Sequence, residues 1–139
     1  MVIEWQEKMC IDHGGLDADH REQHELIRRF VAAPPLEEER DLALGHLYAL
    51  RKSSVRHFAR EEAVQKAVGF PERREHAEQH RRLLDMLNDL IQQIEQRDSP
   101  FQYGYLKGKT DEVLQFWFFD HFAKADLKLR RYVDRFPTR

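Results

Sequence analysis

The positions of proline constrain this chain more than any other feature. Pro34 and Pro35, Pro71 and Pro100 cut it into four proline-free segments, roughly 16–33, 36–68, 72–98 and 101–134, and Pro137 falls near the end. Proline inside a helix costs about 3 kcal/mol, so long stretches without it are natural helices. These segments are rich in Leu, Ala, Glu, Arg, Gln and Lys, which are good helix formers. Their ends carry start and stop signals. Asp17 and Asp19, and then Glu37, Glu38 and Glu39, put negative charge where the helix dipole favours it. Gly69 before Pro71 reads as a C-terminal stop. Ser99-Pro100-Phe101-Gln102 reads as a capping serine, a first-turn proline and a capping-box glutamine. Gly104 and Gly108 weaken that start, so the fourth helix is expected to become regular only after Gly108. Gly45 marks an expected bend in the long second helix.

Periodicity supports the same elements. Leu83, Leu84, Leu87, Ile91 and Ile94 form one apolar stripe at three- and four-residue spacing. Val113, Leu114, Trp117 and His121 share a face further on, followed by Leu129, Tyr132 and Val133. No stretch alternates with period two. The expected fold is all-α: an antiparallel up-down four-helix bundle with a short N-terminal arm, a single domain over residues 1–139. Lys plus Arg (23) nearly balances Asp plus Glu (25), which argues against a general nucleic-acid binder. No apolar run approaches the roughly 18 residues of a membrane span. One cysteine, Cys10, excludes an intrachain disulfide framework. The N-terminus lacks the pattern of a secretory signal, so the expected location is the cytoplasm.

Histidine carries the chemistry. The chain has 8, and five of those on the predicted helices form a set with two carboxylates. His57 and Glu61 are four residues apart on the second helix, and His76 and His80 on the third, so each pair shares a face and can chelate one site. His20 stands near the start of the first helix. His121 and Asp126 lie on the fourth, five apart, and a continuous helix would rotate them by about 140° relative to one another. His76 and His80 extend the apolar stripe of the third helix, which points the imidazoles inward. Five imidazoles and two carboxylates facing one interior are costly unless something coordinates them. Imidazole plus carboxylate suits iron, manganese or zinc. Seven ligands exceed the four of a structural zinc and fit two metals that share bridging carboxylates.

The ordered set Leu16-Asp17-Ala18-Asp19-His20, His57-Phe58-Ala59-Arg60-Glu61-Glu62, Gly69-Phe70-Pro71, His76-Ala77-Glu78-Gln79-His80 and Trp117 through Asp126 resembles the bacterial hemerythrins, oxygen-binding non-heme di-iron proteins. With Trp5 as its first element, the resemblance spans nearly the whole chain. It implies two iron ions, bridged by carboxylates and by an oxo or hydroxo group. His76, His80 and His121 would bind one iron and His20 and His57 the other, with Glu61 and Asp126 bridging. One iron is then coordinatively full and the other keeps an open position for reversible dioxygen binding, in storage, delivery or sensing. Phe58, Trp117 and Phe122 flank ligands and are expected to line an apolar oxygen pocket. The alternatives on the same centre are a di-iron oxidoreductase acting on peroxide or nitric oxide, and a sensing module acting through a partner protein. The expected partners are dioxygen and a reductant or signalling protein, with no nucleic acid and no membrane.

Three positions depart from the family pattern. Gln23 and His24 stand where apolar residues are usual, and Gln65 where methionine is usual. The polar groups are expected to admit water and speed oxidation. The competing expectation is that Gln23 donates a hydrogen bond to bound oxygen. His24 reads as a partly exposed residue at a helix interface. His46 lies about 16 Å along the helix from His57, too far to share its metal. His13 reads as a loop residue. Phe116, Phe118 and Phe119 read as core, and Arg73, Arg74, Arg81 and Arg82 as a solvated face.

Overall fold

The computed structural model describes residues 9–12, 14–124 and 126–135, the side chains of residues 117, 134 and 135 excepted. Trp5, His13 and the side chain of Trp117 therefore lie outside the described residues. The elements are α1 (Gly15–Ala32), a 3-10 turn (Glu37–Glu39), α2 (Arg40–Val68), α3 (Arg73–Glu95), α4 (Pro100–Lys124), a second 3-10 turn (Asp126–Leu129) and α5 (Arg130–Arg135). Among the described residues there is no strand. α1 packs on α2, α2 on α3, α3 on α4, and α1 on α4, closing an all-α four-helix bundle.

Local chemistry sets the helix ends. The Asp12 carboxylate accepts the backbone N–H groups of Gly14, Leu16 and Asp17 at 2.8, 3.1 and 3.2 Å, satisfying donors that the first turn of α1 leaves unpaired. Asp17 in turn accepts the Ile11 N–H at 2.6 Å and fixes the arm against the helix. α2 ends with Gly69 at φ 68°, a left-handed conformation that glycine adopts without a Cβ penalty. Phe70 N–H then reaches Gln65 C=O at 2.9 Å and Gly69 N–H reaches Lys66 C=O at 3.3 Å, a Schellman pair. At α4 the Ser99 hydroxyl accepts the Gln102 N–H at 3.2 Å, and the Gln102 side chain accepts the Asp98 N–H.

Three expectations about the elements need correction. α4 is helical from Pro100, through Gly104 and Gly108, because the cap compensates for two weak formers. α2 runs unbroken through Gly45. The fourth segment is not one helix to residue 134: α4 stops at Lys124 and the chain resumes as a 3-10 turn at Asp126. Phe116, expected in the core, is 77% exposed, while Phe118 is buried and Phe119 half-buried. The four arginines of α3 are exposed.

Apolar packing sits at two levels. The larger cluster joins Ile27 and Phe30 of α1, Leu47 and Leu50 of α2, Leu87 and Ile91 of α3, and Leu106 and Leu114 of α4. The smaller one joins Ile11, Leu16, Val68, Phe70, Leu129 and Val133. Along the chain the histidines and carboxylates of the predicted set fall between these two clusters, on α3 between Phe70 just before the helix and Leu87 within it. Hydrophobic packing on either side thus fixes a polar layer between them, toward the end of the bundle where α1 and α3 begin and α2 and α4 finish.

Candidate metal centre

His57, Glu61 and Gln65 follow one another at four-residue steps on α2, and all three are fully buried. His76 and His80 face them from α3, His20 from α1 and His121 from the last turn of α4. Asp126 reaches the same point from the 3-10 turn. The turn supplies the reason: on a continuous helix Asp126 would be rotated about 140° from His121, whereas its Oδ1 stands 2.9 Å from His121 Nε2. All seven side chains that the sequence pointed to converge in one layer.

They converge as two groups with a common edge: His76, His80, His121, Glu61 and Asp126 in one, His20, His57, Glu61 and Asp126 in the other. The carboxylates divide their oxygens between the groups. Glu61 Oε1 lies 3.2 Å from His76 Nε2 and 3.1 Å from His80 Nε2. Its Oε2 lies 3.2 Å from His57 Nε2 and 3.6 Å from His20 Nε2. Asp126 repeats the pattern. Oδ1 faces His76 at 2.6 Å and His121 at 2.9 Å, and Oδ2 faces His20 at 3.1 Å. All five imidazoles present Nε2. One group holds three imidazole nitrogens and the other two.

The donor set fits transition-metal cations. Donors about 2.1 Å from one ion and at right angles to each other stand about 3.0 Å apart, close to the separations here. Both Glu61 oxygens, His57 Nε2 and His80 Nε2 are buried without a hydrogen-bond partner. These atoms lie near one another yet are not aligned as donor and acceptor, which is the arrangement of groups aimed at a common centre. Leaving four such atoms unpaired in the core is costly, and a cation satisfies them together.

Around the inward atoms stands a ring of partners. His57 Nδ1 meets Asp19 Oδ2 at 3.2 Å, and His80 Nδ1 meets Glu62 Oε2 at 2.8 Å. The Gln65 carboxamide lies in hydrogen-bonding contact with His76 Nδ1. Such contacts fix the ring and the tautomer. The sequence singled out Gln65 only as a polar departure and gave no partner role to Asp19 or Glu62. Asp19 looked like a helix-dipole residue, but its carboxylate is turned inward and also meets Arg60 Nε at 3.3 Å. Its only signal was adjacency to His20, as for Glu62 beside Glu61.

Electrostatics without metal follow from this packing. Burial alone would keep His57 neutral, but Asp19 and Glu61 outweigh it and push the ring up to about 10. His76 is also raised, since Asp126 and Glu61 overcome its burial. Burial raises the Asp126 carboxyl, yet bonds from His121, His20 and His76 hold it well below the usual range. Glu61 is lowered as well, with His57 and His80 offsetting burial and the charge of Asp126. The centre is a set of imidazoles and carboxylates whose protons a cation can replace.

An apolar cavity of about 30 Å³ borders the layer at His20, His121 and Asp126, and is lined further by Gln23, His24, Ile27, Phe58, Phe119 and Phe122 among others. Phe58 stacks on His80 at 3.9 Å, and Phe122 meets His20 edge-on at 4.7 Å. Of the expected pocket residues, Gln23, Phe58 and Phe122 are there; Ile27 and Phe119 were not expected. The Gln23 amide donates to the Ser54 hydroxyl at 3.0 Å. His24 is not partly exposed, as expected, but buried against Phe119 at 5.2 Å between ring centres. It belongs to neither donor group, and nor does His46.

No helix among the described residues is long and apolar enough to cross a membrane. No curated protein sequence matches the chain. The family model described as the hemerythrin HHE cation-binding domain matches residues 14–133, which takes in every residue of the buried layer, and the chain belongs to that family.

Proposed function

We propose that this protein binds dioxygen reversibly at a pair of iron ions. His76, His80 and His121 would hold one ion and His20 and His57 the other, with Glu61 and Asp126 bridging through their two oxygens. A bound ferrous pair supplies two electrons, which dioxygen takes on binding and returns on release. One observation carries the reading: the two donor groups are unequal. The first has five protein donors and the second four. With one further ligand shared between the ions, the first group would supply a full octahedral set and the second one donor fewer. The cavity that could admit a diatomic molecule borders His20 of the poorer group as well as His121 of the richer one. Phe58, Phe119 and Phe122 exclude water from it, and Asp19 and Glu62 hold the imidazoles with Nε2 inward.

A second reading is catalytic reduction of peroxide or nitric oxide. The burial of His24 and Gln23 in the cavity wall, 8% and 6% exposed, favours it, because such reductions consume protons. Metal analysis of protein purified from iron-replete cells, followed by absorption spectra with dioxygen and azide, tests both. Two irons per chain and charge-transfer bands that come and go with dioxygen are expected. A lone ion per chain would sink the proposal, and rapid turnover of peroxide with a reductant would replace it by the second reading.

A further inference from the structure

Gln65 is fully buried, with its carboxamide Nε2 placed against His76 Nδ1 and its Oε1 left without a hydrogen-bond partner. The two ends of a carboxamide are the same size, so chemistry rather than shape decides which one faces the ring. His76 Nε2 is committed inward, 2.6 Å from Asp126 Oδ1 and 3.2 Å from Glu61 Oε1. An imidazole that offers Nε2 to a cation carries its proton on Nδ1, and that proton needs an acceptor. The backbone at Gln65 is anchored too, because its C=O accepts Phe70 N–H at the glycine-capped end of α2. A side chain at the third inward position of the His57, Glu61, Gln65 series can therefore hold a fixed orientation.

We propose that Gln65 is a positioning residue whose carboxamide oxygen accepts the Nδ1–H of His76, fixing the tautomer and ring plane that present Nε2 to the metal centre. This rests on the metal-binding reading above. It also sets His76 apart from its neighbours. His57 and His80 lean on the carboxylates Asp19 and Glu62, which raise imidazole basicity. His76 leans on a neutral amide. His20 Nδ1 is buried with no partner at all. These four rings are thus graded in the support they receive.

The test compares Gln65→Met, of similar length but without the acceptor, with Gln65→Glu, which keeps one. Ferrous iron affinity is measured anaerobically against a competing chelator, with the azide charge-transfer spectrum of the oxidised protein and the helicity of the metal-free protein alongside. Gln65→Met should lose about 10–100-fold in affinity and change the spectrum while the metal-free helicity is kept. Gln65→Glu should stay within a few-fold of the wild type. Wild-type affinity and spectrum in Gln65→Met would overturn the inference. Wild-type protein that takes up no metal would instead sink the metal-binding reading itself.

Should Gln65→Met not fold, the wild type decides. In zinc-loaded protein with ¹⁵N-labelled histidine, His76 should be ligated through Nε2, with its Nδ1–H proton downfield of the unsupported one on His20. Ligation through Nδ1, or a proton no further downfield than that of His20, would overturn the inference.

Discussion

Metal uptake should expel protons, and His57 allows a minimum to be worked out. With its value pushed up to about 10, the metal-free ring is almost wholly protonated at neutral pH. Its Nε2 must lose that proton to bind a cation, so at least one proton leaves per chain, and the raised value of His76 adds to it. Each released proton makes the affinity about tenfold tighter per pH unit, or about 1.4 kcal/mol. Between pH 6.5 and 8.5 the affinity for ferrous iron should therefore rise by about 100-fold or more. The count comes from anaerobic titration calorimetry in two buffers of different ionisation enthalpy. Equal heats in both buffers would refute the reasoning, as would a metal-free His57 that titrates near 6.5 by nuclear magnetic resonance. The stability of the metal-free protein changes the opposite way. Because the folded value lies above the ordinary 6.5, the contribution of His57 is complete below about 6.5 and is lost as pH rises through about 10. Asp126 and Glu61, held below their ordinary 3.8 and 4.5, stabilise above those values and lose that contribution as pH falls through their lower folded ones.

Four further outcomes are expected. His121→Ala should lose metal and lower the melting temperature of protein purified with iron, measured by metal analysis and thermal scanning, because binding is coupled to folding. An unchanged iron content would count against His121 as a ligand. Gln23→Leu, which leaves the Ser54 hydroxyl without its donor, should slow autoxidation of the oxygenated protein if Gln23 admits water, whereas a faster oxygen off-rate would show that it donates to the ligand. Ser99→Ala removes the cap of α4 and should cost about 1 kcal/mol in urea unfolding. Phe30→Ala empties a fully buried site beneath the Lys107 ammonium, 4.6 Å from the ring centre, and should cost about 3–5 kcal/mol.

The helices and the inward direction of the histidines were legible because both depend on local chemistry. Proline positions, the Gly69 stop and the Ser99 cap act within a turn or two of chain. His57 with Glu61, and His76 with His80, share a face by helix geometry alone. The sequence determined these, and with them the residue types gathered in the polar layer. Tertiary structure decided what distance along the chain conceals. The 3-10 turn at Asp126–Leu129 brings Asp126 to His121. The division of each carboxylate between two groups depends on α3 and α4 lying across from α1 and α2. The inward turn of Asp19, the contact of Gln65 with His76 and the burial of His24 against Phe119 each join separate helices. A side chain's helical face follows from its own neighbours in sequence, but its partner depends on how whole helices pack, and that packing is settled by the apolar clusters above and below the layer.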